Sequence, residues 1–420
     1  MRGSLLSRFH GLRAVRPWPV YLLAASVPLS MAATSLSKVL ILLMALALLL
    51  AKPSVQARVS ALAGLRLVPV VLLMIGWMAV SLSWTVANIQ EGLVTLVKYG
   101  KLLVIPAILV VIRTRREALI AMGCYLAAQG FVVGTSVLLG LGAPLPWVPS
   151  VRNSVATVYS SYLDQSIMTA GFAAMCWHLR KEFPAAQAAV WGTLFGVLAT
   201  FNVVVQLPGR SGYLACFVVL ALALFWMAPR KARLPALLAP LLLMGIAYAF
   251  SPQIKQRVAE VEAETTSYAH GNVMTSSGLR LLYWKTSFQA IAERPLTGHG
   301  AGSWAHEFKR VNSGRDTSFS GTGGNPHQEY LLWGIHLGVP GILLLLTFFT
   351  SVVVDGRQLP VAERHALWSV VAVLASVCLI NSTLYDALIG DYFCMLIGVL
   401  LAMGLKRSDA PRSPPVGSAV

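Results

Sequence analysis

Two arginines and one histidine stand where phosphate and sugar chemistry could be done. Arg210 lies in Pro208–Gly209–Arg210–Ser211–Gly212, at one end of an apolar run. A guanidinium binds phosphate through a fork of donors, and flanking glycines let a ligand approach the backbone. Arg280 opens the helix expected over Leu279–Glu293, where backbone N–H groups already favour an anion. Together the two can hold a diphosphate. His327 precedes Gln328–Glu329–Tyr330–Leu331 at the head of another apolar run. An imidazole that is neutral at pH 7 can accept a proton from a sugar hydroxyl. Each also has a plainer reading: Arg210 as a lipid-headgroup anchor, Arg280 as a solvated helix residue, His327 as a helix cap.

Around these three stand possible supporting residues. Arg152, in Pro149–Ser150–Val151–Arg152–Asn153, is a second basic residue against the charge pattern described below. Lys285 shares the Arg280 helix and either adds charge or faces water. His299 sits in a glycine turn, Leu296–Thr297–Gly298–His299–Gly300. His270 and His306 are weaker candidates, and His336 reads as packing. Glu329, Asp164, Asp386 and Asp391 lie in or near apolar runs, where acids are costly and usually have a role. Asp164 and Asp386 could orient Arg152, Arg210 or His327, or could be structural pairs. Glu260, Glu262 and Glu264 read as a solvated helix face. No aspartate pair is spaced for a divalent ion. Cys124, Cys176, Cys216, Cys378 and Cys394 all fall in or beside apolar runs, so no disulfide framework or thiolate metal site is expected.

The elements that must position these groups are membrane helices. Of 420 residues 56% are hydrophobic and only 12% charged, about half the charge of a soluble domain. The mean hydropathy is +0.69. A bilayer core takes about 20 apolar residues per helix, and unpaired backbone groups in lipid favour helices. The solid apolar runs exclude the alternation of a β-barrel. About twelve spans are expected, most of them bilayer-length. They fall near Val20–Thr34, Leu36–Ala51, Leu67–Trp84, Leu93–Ile112, Glu117–Leu141 and Tyr162–His178. The others fall near Ala186–Gln206, Ser211–Ala228, Leu234–Phe250, Tyr330–Val354, His365–Ile380 and Leu384–Leu405. The first run, after Arg2, Arg8, Arg13 and Arg16, reads as a signal anchor rather than a cleaved peptide.

Lys and Arg favour the cytoplasmic side of short loops. With the N-terminus inside, every second connection is basic: Lys52, Arg58 and Arg66; Arg113, Arg115 and Arg116; Arg180 and Lys181; Arg230, Lys231 and Arg233; Arg357 and Arg364; Lys406, Arg407 and Arg412. The short outside loops hold only Arg152 and Arg210. The net charge of +17 is therefore mostly a topology signal, and no soluble nucleic-acid module accompanies it. The expected division is residues 1–250, an N-terminal bundle of about nine helices; 251–326, one large outer loop; 327–405, about three further spans; and 406–420, a cytoplasmic tail.

In the outer loop, Gln253–Thr265 is expected as a short amphipathic helix with Ile254, Val258 and Val261 on one face. Ser267–Gly278 is expected to be flexible. Thr275–Ser276–Ser277 caps the next helix, with Leu281, Trp284, Phe288 and Ile291 along one side, and Pro295 ends it. Arg310–Gly324 is Ser/Gly-rich, and Asn325–Pro326 starts the next span with His327 in its first turn.

The order of these features resembles a family. Arg210–Ser211–Gly212 comes after a long span, then Arg280-Leu-Leu-Tyr-Trp284 and Pro295-Leu-Thr-Gly-His-Gly300. His327-Gln-Glu-Tyr-Leu331 follows, before Gly338-Val-Pro-Gly341. From about Tyr162 to Gly341 this is similar to the O-antigen ligase/polymerase superfamily of bacterial membrane glycosyltransferases, and most to the O-antigen ligases. Many members carry asparagine after the histidine; here it is Gln328. The resemblance implies an all-α membrane fold with one large periplasmic loop, in a bacterial inner membrane. It implies inverting, metal-independent transfer without a cofactor. The donor would be a polysaccharide on undecaprenyl diphosphate and the acceptor the lipid A-core oligosaccharide. His327 would be the base, and Arg210 and Arg280 would hold the diphosphate.

Three other functions compete. An O-antigen polymerase shares the donor but extends a second lipid-linked glycan, and a protein O-oligosaccharyltransferase glycosylates a protein. A transporter or flippase would show internal repeats and midplane charges; no half-to-half similarity is seen here, and the candidate charges lie at the outer boundary.

Overall fold

The apolar runs fold as helices, and every regular element among the described residues is helical. The computed structural model describes residues 15–50, 62–152, 154–183, 187–250, 252–270, 275–313 and 324–404. Arg2, Arg8, Arg13, Lys52, Arg58, the 406–420 tail and residues 271–274 and 314–323 of the expected flexible stretches lie outside them.

The first apolar stretch makes α1 (Trp18–Ser26) and α2 (Met31–Leu50). The break falls between Val27 and Ser30 rather than at Ser35, because Pro28 has no N–H to continue the ladder. Next come α3 (Leu67–Val80), α4 (Ile89–Tyr99) and α5 (Val104–Val111), the last two joined through a tighter turn at Gly100–Leu103. Then α6 (Arg115–Gly140) and α7 (Tyr162–His178) start under Thr114 and Ser161, whose side chains accept the N–H of Glu117 and Asp164. Such caps satisfy a donor that the helix itself cannot. The chain continues through α8 (Ala188–Phe201), α9 (Arg210–Met227) and α10 (Arg233–Phe250).

Residues between the apolar runs form α11 (Pro252–Ala269), α12 (Ser276–Glu293) and α13 (Trp304–Val311). The final helices are α14 (Glu329–Gly356), α15 (Val361–Val377) and α16 (Ala387–Met403). Among the described residues, six helical stretches are long and apolar enough to cross a membrane, the longest being α14 and α6. Each expected span overlaps helix, but Val20–Thr34 and Leu93–Ile112 are each divided between two helices. The centre of the bundle is α16, buried from Leu388 to Met403 and packed on α5, α6 and α15.

The segment before α14 departs from expectation in three ways. First, α11 runs on to Ala269, past Ser267, the expected start of the flexible stretch. Its Val258 and Val261 are exposed rather than packed. Second, the buried face of α12 carries Leu282, Tyr283, Ser287, Ala290 and Ile291, while Phe288 is exposed. Burying Leu282 and Ile291 stabilises by about 1.5–3 kcal/mol each, and this fixes the rotation of the helix. Third, α13 is an additional helix whose Trp304 and Phe308 pack on Tyr283.

The glycine turn after α12 docks on a break in α14. Pro340 has no N–H to give the His336 carbonyl, and Gly338 turns to φ +70°. The freed Ile335 and His336 carbonyls accept the N–H groups of His299 and Gly300 at 2.8 and 2.9 Å, and Val339 N–H donates to Pro295 O at 2.7 Å. A Cβ on Gly338 would lie 2.4 Å from the Pro295 carbonyl oxygen, so only glycine fits.

Candidate active site

One stripe of α12 joins the three residues on which the chemistry would turn. Ser277, Arg280 and Tyr283 recur at three-residue intervals, so they share a helix face. At one end, Arg210, the first residue of α9, donates from Nη1 to Ser277 Oγ at 3.2 Å. At the other, the His327 imidazole stacks on the Tyr283 ring, with centroids 6.2 Å apart and planes at 25°. Arg280 stands between them and feels the charge of Arg210.

The two arginines differ in their charge balance. Arg210 faces Glu264 at 3.6 Å and Glu260 at 3.8 Å, residues one turn apart on α11. These acids are not the solvated face expected. Partial burial pushes the Glu264 carboxyl up, but the Ser277 hydroxyl and amide, and Arg210, outweigh it and hold it below the usual carboxylate range. Arg280 has no hydrogen bond or ion pair among the described residues. Burial, and then the neighbouring Arg210, pull its pKa down. A guanidinium held half-buried beside another cation, with Glu264 and Tyr162 as its favourable neighbours, is suited to donate to an anion.

His327 is not in the first turn of α14. It precedes the N-cap Gln328 and has φ +52°, the one non-glycine positive φ among the described residues. This conformation costs of order 1–3 kcal/mol for such a residue. It is held by Asn325, whose Oδ1 accepts the His327 N–H at 2.9 Å. Asn325 in turn reaches Asp386 Oδ1 with its Nδ2 at 3.4 Å. Lys101 fastens the Asp386 segment by donating to its backbone carbonyl. The imidazole itself has no hydrogen bond among the described residues. Burial, and then Arg280, hold its pKa below the ordinary histidine value, which favours the neutral ring at pH 7.

The supporting candidates divide. Asp386 joins the site through Asn325. Asp164 accepts from the Ser161 hydroxyl at 3.0 Å and lies close enough to Asp386 to repel it, but touches neither Arg152 nor Arg210. Arg152 is exposed and donates to the Val155 carbonyl at 2.9 Å, apart from the stripe. Lys285 is exposed on α12. Glu329 is fully buried and saturated: Tyr99 and Trp333 donate to one oxygen at 2.8 and 3.0 Å, and the amides of Leu384 and Tyr385 to the other at 2.8 and 3.2 Å. It clamps the start of α14 to α4 and to the strand of chain before α16. His299 is buried, with Nε2 against the Ala290 carbonyl at 2.9 Å and Nδ1 3.4 Å from Glu307; it fastens the glycine turn.

One group among the described residues, Glu293, His299 and Glu307, brings metal-competent atoms together. Arg310 donates to both of its carboxylates and balances their charge. None of the three hydrogen-bonds to Arg210, Arg280 or His327.

Sequence reasoning missed Asn325, Tyr283, Ser277 and Glu264 as parts of the site. The signals present were an Asn–Pro pair before the histidine and an i, i+3, i+6 register through Arg280.

This arrangement can hold a diphosphate against two guanidinium groups and set a neutral imidazole along the same helix face. Comparison with the curated proteins gives no match. Residues 194–346 match the family model described as O-antigen ligase. That stretch contains Arg210, Arg280, His327 and the stripe between them, so over these residues the chain is similar to the O-antigen ligase family.

Proposed function

We propose that the protein is an O-antigen ligase. It transfers a polysaccharide from undecaprenyl diphosphate to a hydroxyl of the lipid A-core oligosaccharide, with inversion and without a metal. The observation that carries this reading is the Ser277–Arg280–Tyr283 stripe, which sets a cation pair and a neutral histidine on one helix face.

The acceptor hydroxyl attacks the anomeric carbon of the donor from the face opposite the diphosphate. The new C–O bond forms as the bond from the anomeric carbon to the phosphate oxygen breaks. The hydroxyl proton passes to His327, and the bonding pair leaves with the diphosphate. The charge gathering on that leaving group is met by Arg280 and Arg210, donors already in place. Glu260 and Glu264 hold Arg210 until the anion arrives.

The alternating basic connections support an orientation in a bacterial inner membrane with both termini cytoplasmic and the site facing the periplasm. Both substrates are then lipid-anchored on the site's own side of the membrane.

The test is reconstitution of purified protein with lipid-linked O-antigen, core lipopolysaccharide lacking O-antigen, and EDTA. Wild type should build a ladder on the core, and folded His327→Ala, Arg210→Ala and Arg280→Ala should not. Lengthening of the lipid-linked chains with an unmodified core would identify a polymerase. Glycan appearing only on an added protein acceptor would identify a protein glycosyltransferase, and no transfer at all would bring the transporter reading forward.

A further inference from the structure

Arg210 opens α9, and the helix start that carries it is fixed on its other sides. Successive helix residues point about 100° apart, so Arg210, Ser211 and the pair Gly209 and Gly212 look in three directions. The glycines lie against α7: a Cβ on either would meet the Ser166 side chain at 2.3 Å. Ser211 is 1% exposed, and its Oγ accepts a hydrogen bond from Asn381 Nδ2 at 2.6 Å. Arg210 is left facing Ser277, Glu264 and Glu260.

Asn381 stands in the short connection between α15 and α16, outside the residues 194–346 that match the family model. From Asn381 to Leu384 this connection is buried. It is braced internally: the Asn381 N–H donates to the Val377 carbonyl at 2.9 Å, and those of Tyr385 and Asp386 to the Ser382 carbonyl at 3.1 and 2.9 Å. Lys101 holds its far end by donating to the Asp386 and Ala387 carbonyls.

The same connection serves the base. Its Leu384 and Tyr385 amides donate to Glu329 at the head of α14, and its Asp386 carboxylate accepts from Asn325, the residue that holds His327. One braced turn therefore reaches the neighbour of Arg210 at one end and the support of His327 at the other. The bond from Asn381 to Ser211 is the link on the arginine side. Both side chains are buried, so neither has bulk water as an easy substitute partner.

We propose that Asn381 is a positioning residue: through Ser211 it sets the first turn of α9, and with it the direction from which Arg210 meets a diphosphate. The assignment rests on the reading of Arg210 as a diphosphate ligand and adds to it what places that ligand relative to the base.

The test uses full-length protein in lipid nanodiscs, with inorganic diphosphate as the probe and calorimetry as the readout. Ser211→Ala and Asn381→Ala should each weaken binding roughly three- to tenfold, the scale of one lost hydrogen bond. The double variant should be no weaker than the worse single one, because both remove the same bond. On an Arg210→Ala background, where Arg280 remains to bind the probe, neither change should weaken binding further. In transfer assays the donor KM should rise and the acceptor KM stay as in wild type. If Asn381→Ala does not fold, Ser211→Ala, which removes a single oxygen, carries the test.

A lowered melting temperature with unchanged diphosphate affinity would make the bond structural only and overturn the assignment. So would a loss of affinity that persists without Arg210. Diphosphate binding that weakens as expected, in a protein that transfers no glycan, would instead sink the transfer reading and leave the placement of Arg210 standing.

Discussion

Asn325 accepts the backbone N–H of His327 at 2.9 Å, and this contact fixes the imidazole in a conformation that histidine seldom adopts. The strain of φ +52° is offset by that bond, by the stack on Tyr283 and by the reach of Asn325 to Asp386. The proposed base is thus aimed by a side chain that never touches substrate.

Replacing that side chain should misplace the base without removing it. Asn325→Ala is expected to lower the transfer rate roughly ten- to a hundredfold, the scale of a misplacement of about 1 Å. Initial rates on the core acceptor, with thermal melting as the check on folding, measure this. Asn325→Asp keeps an acceptor for the His327 N–H but sets a carboxylate beside Asp386; its activity should fall between the two. An Asn325→Ala protein that is fully active would remove Asn325 from the account.

The acid limb of the pH profile should report on Arg280. Burial and Arg280 hold the His327 pKa below 6.5, and the base works only when neutral. Activity should therefore persist below the ordinary histidine range and fall once the ring is protonated. Arg280→Gln removes the positive neighbour, so it becomes easier to protonate His327. The limb should then move to higher pH, on top of a loss of roughly a hundredfold or more from the missing donor. A limb that stays where it was would mean that the two side chains are not electrostatically coupled.

The sequence carries the apolar helices plainly, because about 20 apolar residues in a row have few other homes, and the helix over Tyr162–His178 has the expected bounds. Arg210, Arg280 and His327 were legible because each breaks its surroundings: an arginine between glycines, another at a helix start, a histidine at a membrane edge. Their connection was not legible. The partnership of Glu264 with Arg210 spans more than fifty residues, and an acidic run on a short helix looks the same whether it meets water or a guanidinium. Glu329 and His299 show the converse. Both stand beside the motifs, yet their partners come from Tyr99, Leu384 and Ala290, and only the packed chain reveals that they are saturated. The rotation of α12 likewise depends on what α13 and α14 offer it, not on its own apolar spacing.

Glu264 competes with the proposed donor for Arg210. Glu264→Gln removes the negative charge and retains an oxygen for the Ser277 donors. Inorganic diphosphate should then bind a few-fold tighter, because a single charge at 3.6 Å is worth about 1 kcal/mol or somewhat more in a partly exposed setting. Calorimetry on wild type and variant, at two salt concentrations, measures both the gain and its screening. Weaker binding would show that Glu264 orders Arg210 rather than masks it.

Glu329 should behave as a structural residue despite standing two positions from His327. Its two oxygens accept from Tyr99, Trp333, Leu384 and Tyr385 with no exposed surface. Glu329→Leu leaves four buried donors unmet, each costing about 1–3 kcal/mol, so the folded yield and melting temperature should drop sharply. Glu329→Gln keeps one acceptor oxygen but turns an NH2 toward donors on one side, so a smaller loss of stability is expected. Whatever Glu329→Gln protein folds should retain a transfer rate within a few-fold of wild type and an unchanged acid limb, because the clamp lies behind the site and His327 is still aimed by Asn325. A fully folded Glu329→Gln protein with its transfer abolished would instead make Glu329 part of the chemistry.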